Sequence, residues 1–205
     1  MHIYDKEQGR QLVEAARNAI ELSIINPHFD SETVKRTIAE FRQPHGIFVT
    51  LEHYPTMVLR GCIGFPRAIA PINESLVDSA IAAAFEDPRF VSVSKNELGE
   101  LVVEVSILSS PVQIVGGPKK RLDAVKVGRD GLMIEYGMNS GLLLPIVAVE
   151  QKWNRKIFLD EVCAKAGIHH DYWSQQNVRL YKFETQVFKE ETPGGNVTEL
   201  KYDKD

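Results

Sequence analysis

Apolar side chains at Leu12, Ala15, Ala16, Ala19, Ile20 and Ile24 recur every three or four residues, the period of one helical face. The spacing predicts a helix over 6–25. Asp5 and Gln8 supply its start, because a short acceptor and a glutamine three residues on can satisfy free backbone N–H groups. "NPHFD" breaks it, and a weaker helical stretch covers Glu32 to Glu40. The period then shortens. Ile47, Phe48, Val49 and Leu51 are strand formers, the chain turns near Pro55, and Met57 to Ile63 returns, which predicts a hairpin. Pro71 suits a first helical turn, and Ile72, Leu76, Ala80 and Ala84 line one face of the helix that follows. Pro88 stops it, since the residue before a proline is pushed out of helical angles. Ser94 with Glu97 suggests one capped turn, and "LVVEVSIL", Leu101 to Leu108, reads as a strand.

The polar stretch "SSPVQIVGGPKKRLDA" is the best boundary, a connector rich in glycine and proline. Beyond it the order repeats. "GLMIEYGMNSGLLLPIVA" predicts a second hairpin, "NRKIFLDEVCAKAGI" a helix capped by Asn154 and stopped by Gly167, and Val178 to Phe188 a closing strand. Hairpin, helix and strand therefore occur twice. The expected class is α+β, with largely antiparallel mixed sheets in two subdomains, about 1–115 and 120–190, of one domain covering 1–190. "ETPGGNVTELKYDKD", from Glu191 to Asp205, reads as a disordered tail.

Composition changes this picture little. Hydrophobic residues at 43% and charged residues at 25% are ordinary for a soluble globular protein. No apolar run approaches the roughly 18 residues of a membrane span, and the N-terminal stretch lacks the features of a signal peptide. Net charge is −4, and the folded part is itself acidic, so nucleic acid is not an expected partner. Cys62 and Cys163 lie far apart and form no CxxC, which argues against a disulfide framework and a cysteine-rich zinc site. The expectation is a cytoplasmic protein with two free thiols, no metal and no cofactor.

The chemistry concentrates in "MVLRGCIGF". Arginine near a cysteine lowers a thiol pKa, and only the thiolate attacks. On a regular strand Arg60 would share the face of Cys62. Gly61 and Gly64 would let a ligand approach the backbone, or would only permit a bulge or close packing. Cys62 is thus a candidate nucleophile, with burial as a small apolar residue the competing reading. A base would be wanted near it, yet neither His45 nor His53 is placed there by any motif. In "FEDPRF", Arg89 could bind an anion bidentately with Asp87 orienting it, or the two could form a helix-terminating ion pair. The adjacent His169 and His170 read as a solvated loop, and "GGPKK" lacks the flanks of a phosphate loop.

"LRGCIG", followed in order by "AIAAAFEDPRF", "EVSIL", "GRDGL" and "GLLLP", resembles the AMMECR-one domain family from about residue 8 to 188. Leu59, Arg60, Gly61, Cys62, Ile63 and Gly64 match the family's signature in full. The resemblance implies an α+β fold of two subdomains and a functional site at the signature, with no assigned reaction. Some members of that family are joined to, or sit beside, Memo-like and radical S-adenosylmethionine proteins, which hints at a modification pathway. Two functions are expected. One is a small enzyme or ligand-binding domain using Cys62, with Arg60, Gly61, Gly64, Asp87 and Arg89 around a ligand. The other is an interaction module that docks on a partner enzyme, with Arg60 or Phe65 as anchor. Oligomeric state is left open.

Overall fold

The computed structural model describes residues 2–26 and 28–201. Its contacts divide the chain into two units, one formed by residues 2–108 with 186–200 and the other by 109–185. The second unit is therefore not simply the C-terminal stretch 120–190.

In the first unit, helix α1 (Lys6–Ile25) starts at Asp5, whose carboxylate accepts the Gln8 N–H at 2.8 Å while Gln8 returns the bond to Asp5 N–H at 3.0 Å. Leu12, Ala15, Ala16, Ala19 and Ile20 are buried along its face. Asn26 caps its end, whereas Pro27 of the expected break lies outside the described residues. Helix α2 (Glu32–Thr37) is a short turn. Strands β1 (Gly46–His53) and β2 (Val58–Phe65) form the hairpin, helix α3 (Ile72–Phe85) follows, and β3 (Leu101–Leu108) pairs antiparallel with β1. β2 is the edge, β1 lies between β2 and β3, and β3 neighbours β7 (Arg179–Glu190). Ile47, Val49 and Leu51 of β1 face a core with α1 and α3. Inside this core Arg17 of α1 meets Glu190 of β7, which also accepts the Val103 N–H at 2.9 Å.

The expected tail is corrected in part. Val197–Leu200 form a strand, β8, paired with Val187–Glu190 of β7. Its alternation was masked by the preceding "TPGGN", which makes a tight return instead of a disordered segment. Residues 202–205 lie outside the described residues.

The second unit holds β4 (Val112–Gln113), α4 (Pro118–Ala124), β5 (Asp130–Tyr136), β6 (Asn139–Leu143), α5 (Pro145–Glu150), α6 (Arg155–Lys165) and residues 179–185 of β7. The polar connector thus contains a short strand and a helix that composition concealed. Asn154 caps α6 as expected, its side chain accepting N–H groups of Lys156 and Ile157 at 3.0 Å. β5 pairs with β6 on one side and β7 on the other. The duplication is therefore one of topology: in both units the hairpin's first strand sits between its partner and the closing strand. It extends to one packing detail. A Cβ on Gly61 of β2 would lie 2.2 Å from the Ala83 carbonyl oxygen of α3, and one on Gly141 of β6 would lie 2.6 Å from the Ala166 N and 2.8 Å from the Val162 oxygen at the end of α6. Each helix rests its last turn on a glycine of its hairpin. No helix among the described residues is long and apolar enough to cross a membrane.

Candidate functional site

The signature lies on β2, and a register shift governs what its side chains do. Leu51 stands opposite Gly61 and Glu52 opposite Leu59, so Arg60 has no partner on β1. Such a bulge places two residues of one strand against one of the other and interrupts the two-residue alternation. The expectation that Arg60 shares the surroundings of Cys62 is corrected for this reason. The Arg60 side chain, 7% exposed, donates from Nε and Nη2 to Glu97 at 2.5 and 3.1 Å and from Nη2 to the Val91 carbonyl at 2.8 Å. Arg60 holds the Glu97 carboxyl below its usual range. His53 Nε2 stands 3.5 Å from the same carboxylate.

Cys62 faces a different set of groups. It stands opposite Thr50 in the register, and Thr50 stands opposite Glu104 of β3. Directly opposed residues of an antiparallel sheet share a face, with Cβ atoms about 5 Å apart. Cys62, Thr50 and Glu104 therefore form a row across three strands. The Thr50 hydroxyl donates to the Cys62 sulfur at 3.3 Å. Lys189 of β7 extends the row, with its Nζ 3.5 Å from Glu104 Oε2 and in contact with the Glu52 carboxylate. The Ser106 hydroxyl reaches Glu104 Oε1 at 3.4 Å.

The C-terminal end of α3 closes the free edge of β2 at Cys62. The buried Asp87 carboxylate accepts the Cys62 N–H at 2.9 Å. It also accepts Arg89 Nε at 2.9 Å and Nη2 at 2.7 Å, and Arg89 Nη2 reaches the Cys62 carbonyl at 3.4 Å. The Arg89 side chain, with the larger effect, and the backbone N–H groups of Cys62 and Arg89 hold the Asp87 carboxyl well below the usual carboxylate range. The Arg89 side chain remains 51% exposed. Its guanidinium carbon lies 5.4 Å from the Phe90 ring centroid, and that of Arg60 lies 5.7 Å from the same centroid.

Burial pushes the Cys62 thiol above its ordinary pKa. The Thr50 hydrogen bond and the Arg89 charge pull it back, while Glu104 and Asp87 push it further up. Nearby cations therefore do not win, and the resting group is a neutral thiol. Burial also raises the Glu104 carboxyl; Lys189 offsets this in part, and Glu52 adds to it. The other cysteine, Cys163, is sealed in α6, where burial pushes its thiol up to about 11.

The structure thus brings Cys62, Asp87 and Arg89 together and sends Arg60 to Glu97. Gly61 and Gly64 give room to the chain itself. A Cβ on Gly64 would lie 2.0 Å from the Ile47 carbonyl oxygen of β1, and Gly61 is filled by α3. On the Cβ side of both glycines the space is occupied by main chain, which is the close-packing alternative of the two left open by the sequence. His45 packs edge-on to Tyr4, its Nδ1 buried without a partner. Thr50, Glu52, Glu104 and Lys189 were not singled out from sequence. The signal was there in part, since "FVTLE" and "VVEVS" put polar residues at one parity of otherwise apolar strands.

The same row in the second unit consists of Leu142, Met133 and Tyr181, one residue along from the Gly141 contact as Cys62 is from Gly61. The molecule is thus a topologically duplicated α+β protein with one cysteine-centred polar row. The AMMECR1 family pattern matches residues 13–188, and the chain belongs to that family. It is 46% identical over 200 residues to a protein of Thermococcus gammatolerans, covering 96% of this chain and 97% of the relative. Identity to protein MJ0810 of Methanocaldococcus jannaschii is 44%, covering 98% and 99% of the two chains. The crystal structure of the uncharacterized protein PH0010 from Pyrococcus horikoshii superimposes with a TM-score of 0.90 at 44% identity, over 96% of this chain and 98% of the other.

Proposed function

We propose that the sheet face carrying Cys62 is the small-molecule site of an enzyme, with Cys62 as the attacking thiol. The comparison of rows carries this reading. Both units share strand order and the glycine–helix contact, yet the second unit's row is Leu142, Met133 and Tyr181, without thiol or carboxyl, while the first unit's is Cys62, Thr50 and Glu104. A thiol and a carboxyl in this row are therefore not something the topology requires, and holding them largely out of water without a use would cost stability. Thr50 steadies the sulfur, and Asp87 with Arg89 fixes the Cys62 peptide group. The thiol is protonated at rest, so attack needs a proton acceptor. Glu104 is the carboxylate of the row, roughly 10 Å away across two strand spacings, and substrate or water must bridge that gap.

The docking-module alternative has less support. Arg60 is tied to Glu97, and Phe65 packs on the core, so neither side chain projects as an anchor. Alkylation by iodoacetamide, followed by mass spectrometry from pH 7 to 10.5, tests the proposed site. The native protein is expected to take one label, at Cys62, with a rate still rising above pH 9. A folded protein that takes no label, while the urea-unfolded chain takes two, would overturn it.

A further inference from the structure

We infer that the Cys62 face selects small ligands bearing a positive charge, a primary amine or quaternary ammonium group, and that Glu104 receives that charge. This deepens the proposed site and rests on it.

The argument is one of charge balance. Among the groups the row brings together, two carboxylates, Glu52 and Glu104, share one ammonium, that of Lys189. Their side chains are 18%, 12% and 14% exposed, so solvent screens them only partly. The sharing is unequal. Lys189 is in close contact with Glu52, while its distance to Glu104 is 3.5 Å, well beyond the 2.7–2.9 Å typical of a charge-assisted hydrogen bond. The other Glu104 oxygen accepts from the Ser106 hydroxyl at 3.4 Å. Arg89 adds no unbalanced charge, because Asp87 takes it bidentately. Among the described residues of the row the carboxylates outnumber the ammonium groups by one, and the weaker pairing is the one at Glu104. The raised carboxyl of Glu104 agrees with that deficit. A ligand ammonium at Glu104 and a reacting atom at Cys62 stand less than about two strand spacings apart, within reach of a short aminoalkyl chain.

Two methanethiosulfonate probes of opposite charge test this, one carrying a 2-(trimethylammonio)ethyl group and the other a 2-sulfonatoethyl group. In each, the Cys62 thiolate attacks the sulfenyl sulfur, a mixed disulfide forms, methanesulfinate leaves, and the thiol proton goes to buffer. Rates are divided by those of N-acetylcysteine amide. The folded wild type at low salt is expected to prefer the cationic probe by roughly tenfold, the effect of one sign of charge that solvent screens only partly. Glu104→Gln, checked for folding by its thermal melt, is expected to bring the ratio near one. Reaction with equal or anionic preference would overturn the inference and leave the site at Cys62 standing. A cationic preference untouched by Glu104→Gln would overturn the role of Glu104. No reaction with either probe would overturn the site itself.

Discussion

Substituting Gly61 by alanine tests whether the glycine of the signature serves packing or a ligand. The added Cβ would sit 2.2 Å from the Ala83 carbonyl oxygen, where ordinary contact begins at 3.4 Å. The two main chains would have to part by 1.2 Å. Neither can rotate away, because the obstacle is backbone on both sides. Helix α3 cannot retreat freely either, since Ala80, Ala83 and Ala84 are buried in the core behind it. Overpacking of a core commonly costs about 1–3 kcal/mol, and a backbone clash belongs at the upper end, near 3 kcal/mol. For a chain of this length that lowers the melting temperature by about 6–12 °C. Gly99→Ala is the control, for a Cβ there meets nothing within 4 Å. It is expected to leave stability within about 0.5 kcal/mol. Urea unfolding followed by circular dichroism measures both. A Gly61→Ala protein as stable as Gly99→Ala would refute the packing role and reopen space beside Cys62 for a ligand.

Two further outcomes follow from the groups around the thiol. Asp87→Asn weakens the Arg89 pair and the hold on the Cys62 N–H, and is expected to cost about 1–2 kcal/mol at neutral pH, the exposed Arg89 limiting the loss. Because the folded-state pKa of Asp87 lies below its unfolded value of about 3.9, its contribution is full above that value and disappears as pH falls through the folded one. The gap between wild type and Asp87→Asn should therefore close between about pH 4 and lower values, and a gap independent of pH down to acid unfolding would count against the ion pair. Arg89→Gln removes a charge that lowers the Cys62 pKa, and Glu104→Gln removes one that raises it. The alkylation midpoint should rise in the first variant and fall in the second; movement of both in one direction would contradict the electrostatics described.

Period and punctuation made the regular elements legible. The 6–25 helix and its Asp5–Gln8 cap, the two hairpins and the Asn154 cap all depend on neighbours within four residues, and local pattern reports local causes. β8 and α4 escaped because short elements surrounded by glycine, proline and charge gain their order from pairing and packing elsewhere. At the site, Cys62 and the Asp87–Arg89 pair were readable as chemistry-bearing types. Their relation to Arg60 was not, because a bulge is a property of two strands in register and one strand's sequence does not display it. Thr50, Glu104 and Lys189 needed the same register, which brings together positions 50, 62, 104 and 189 from four strands.

The signature also couples stability to the site through a single contact. Gly61 lets the last turn of α3 lie against β2, and Asp87 follows two residues after the helix ends at Phe85. The glycine thereby sets the height at which the Asp87 carboxylate meets the Cys62 N–H. If α3 stepped back by the 1.2 Å that a Cβ demands along that direction, the 2.9 Å bond would open beyond hydrogen-bonding range. In the second unit the equivalent glycine also lets α6 approach too closely for a Cβ, but Leu142 occupies the place of the cysteine. The glycine contact is thus the common structural device, and the pairing of Asp87 with a thiol-bearing strand edge is particular to the first unit.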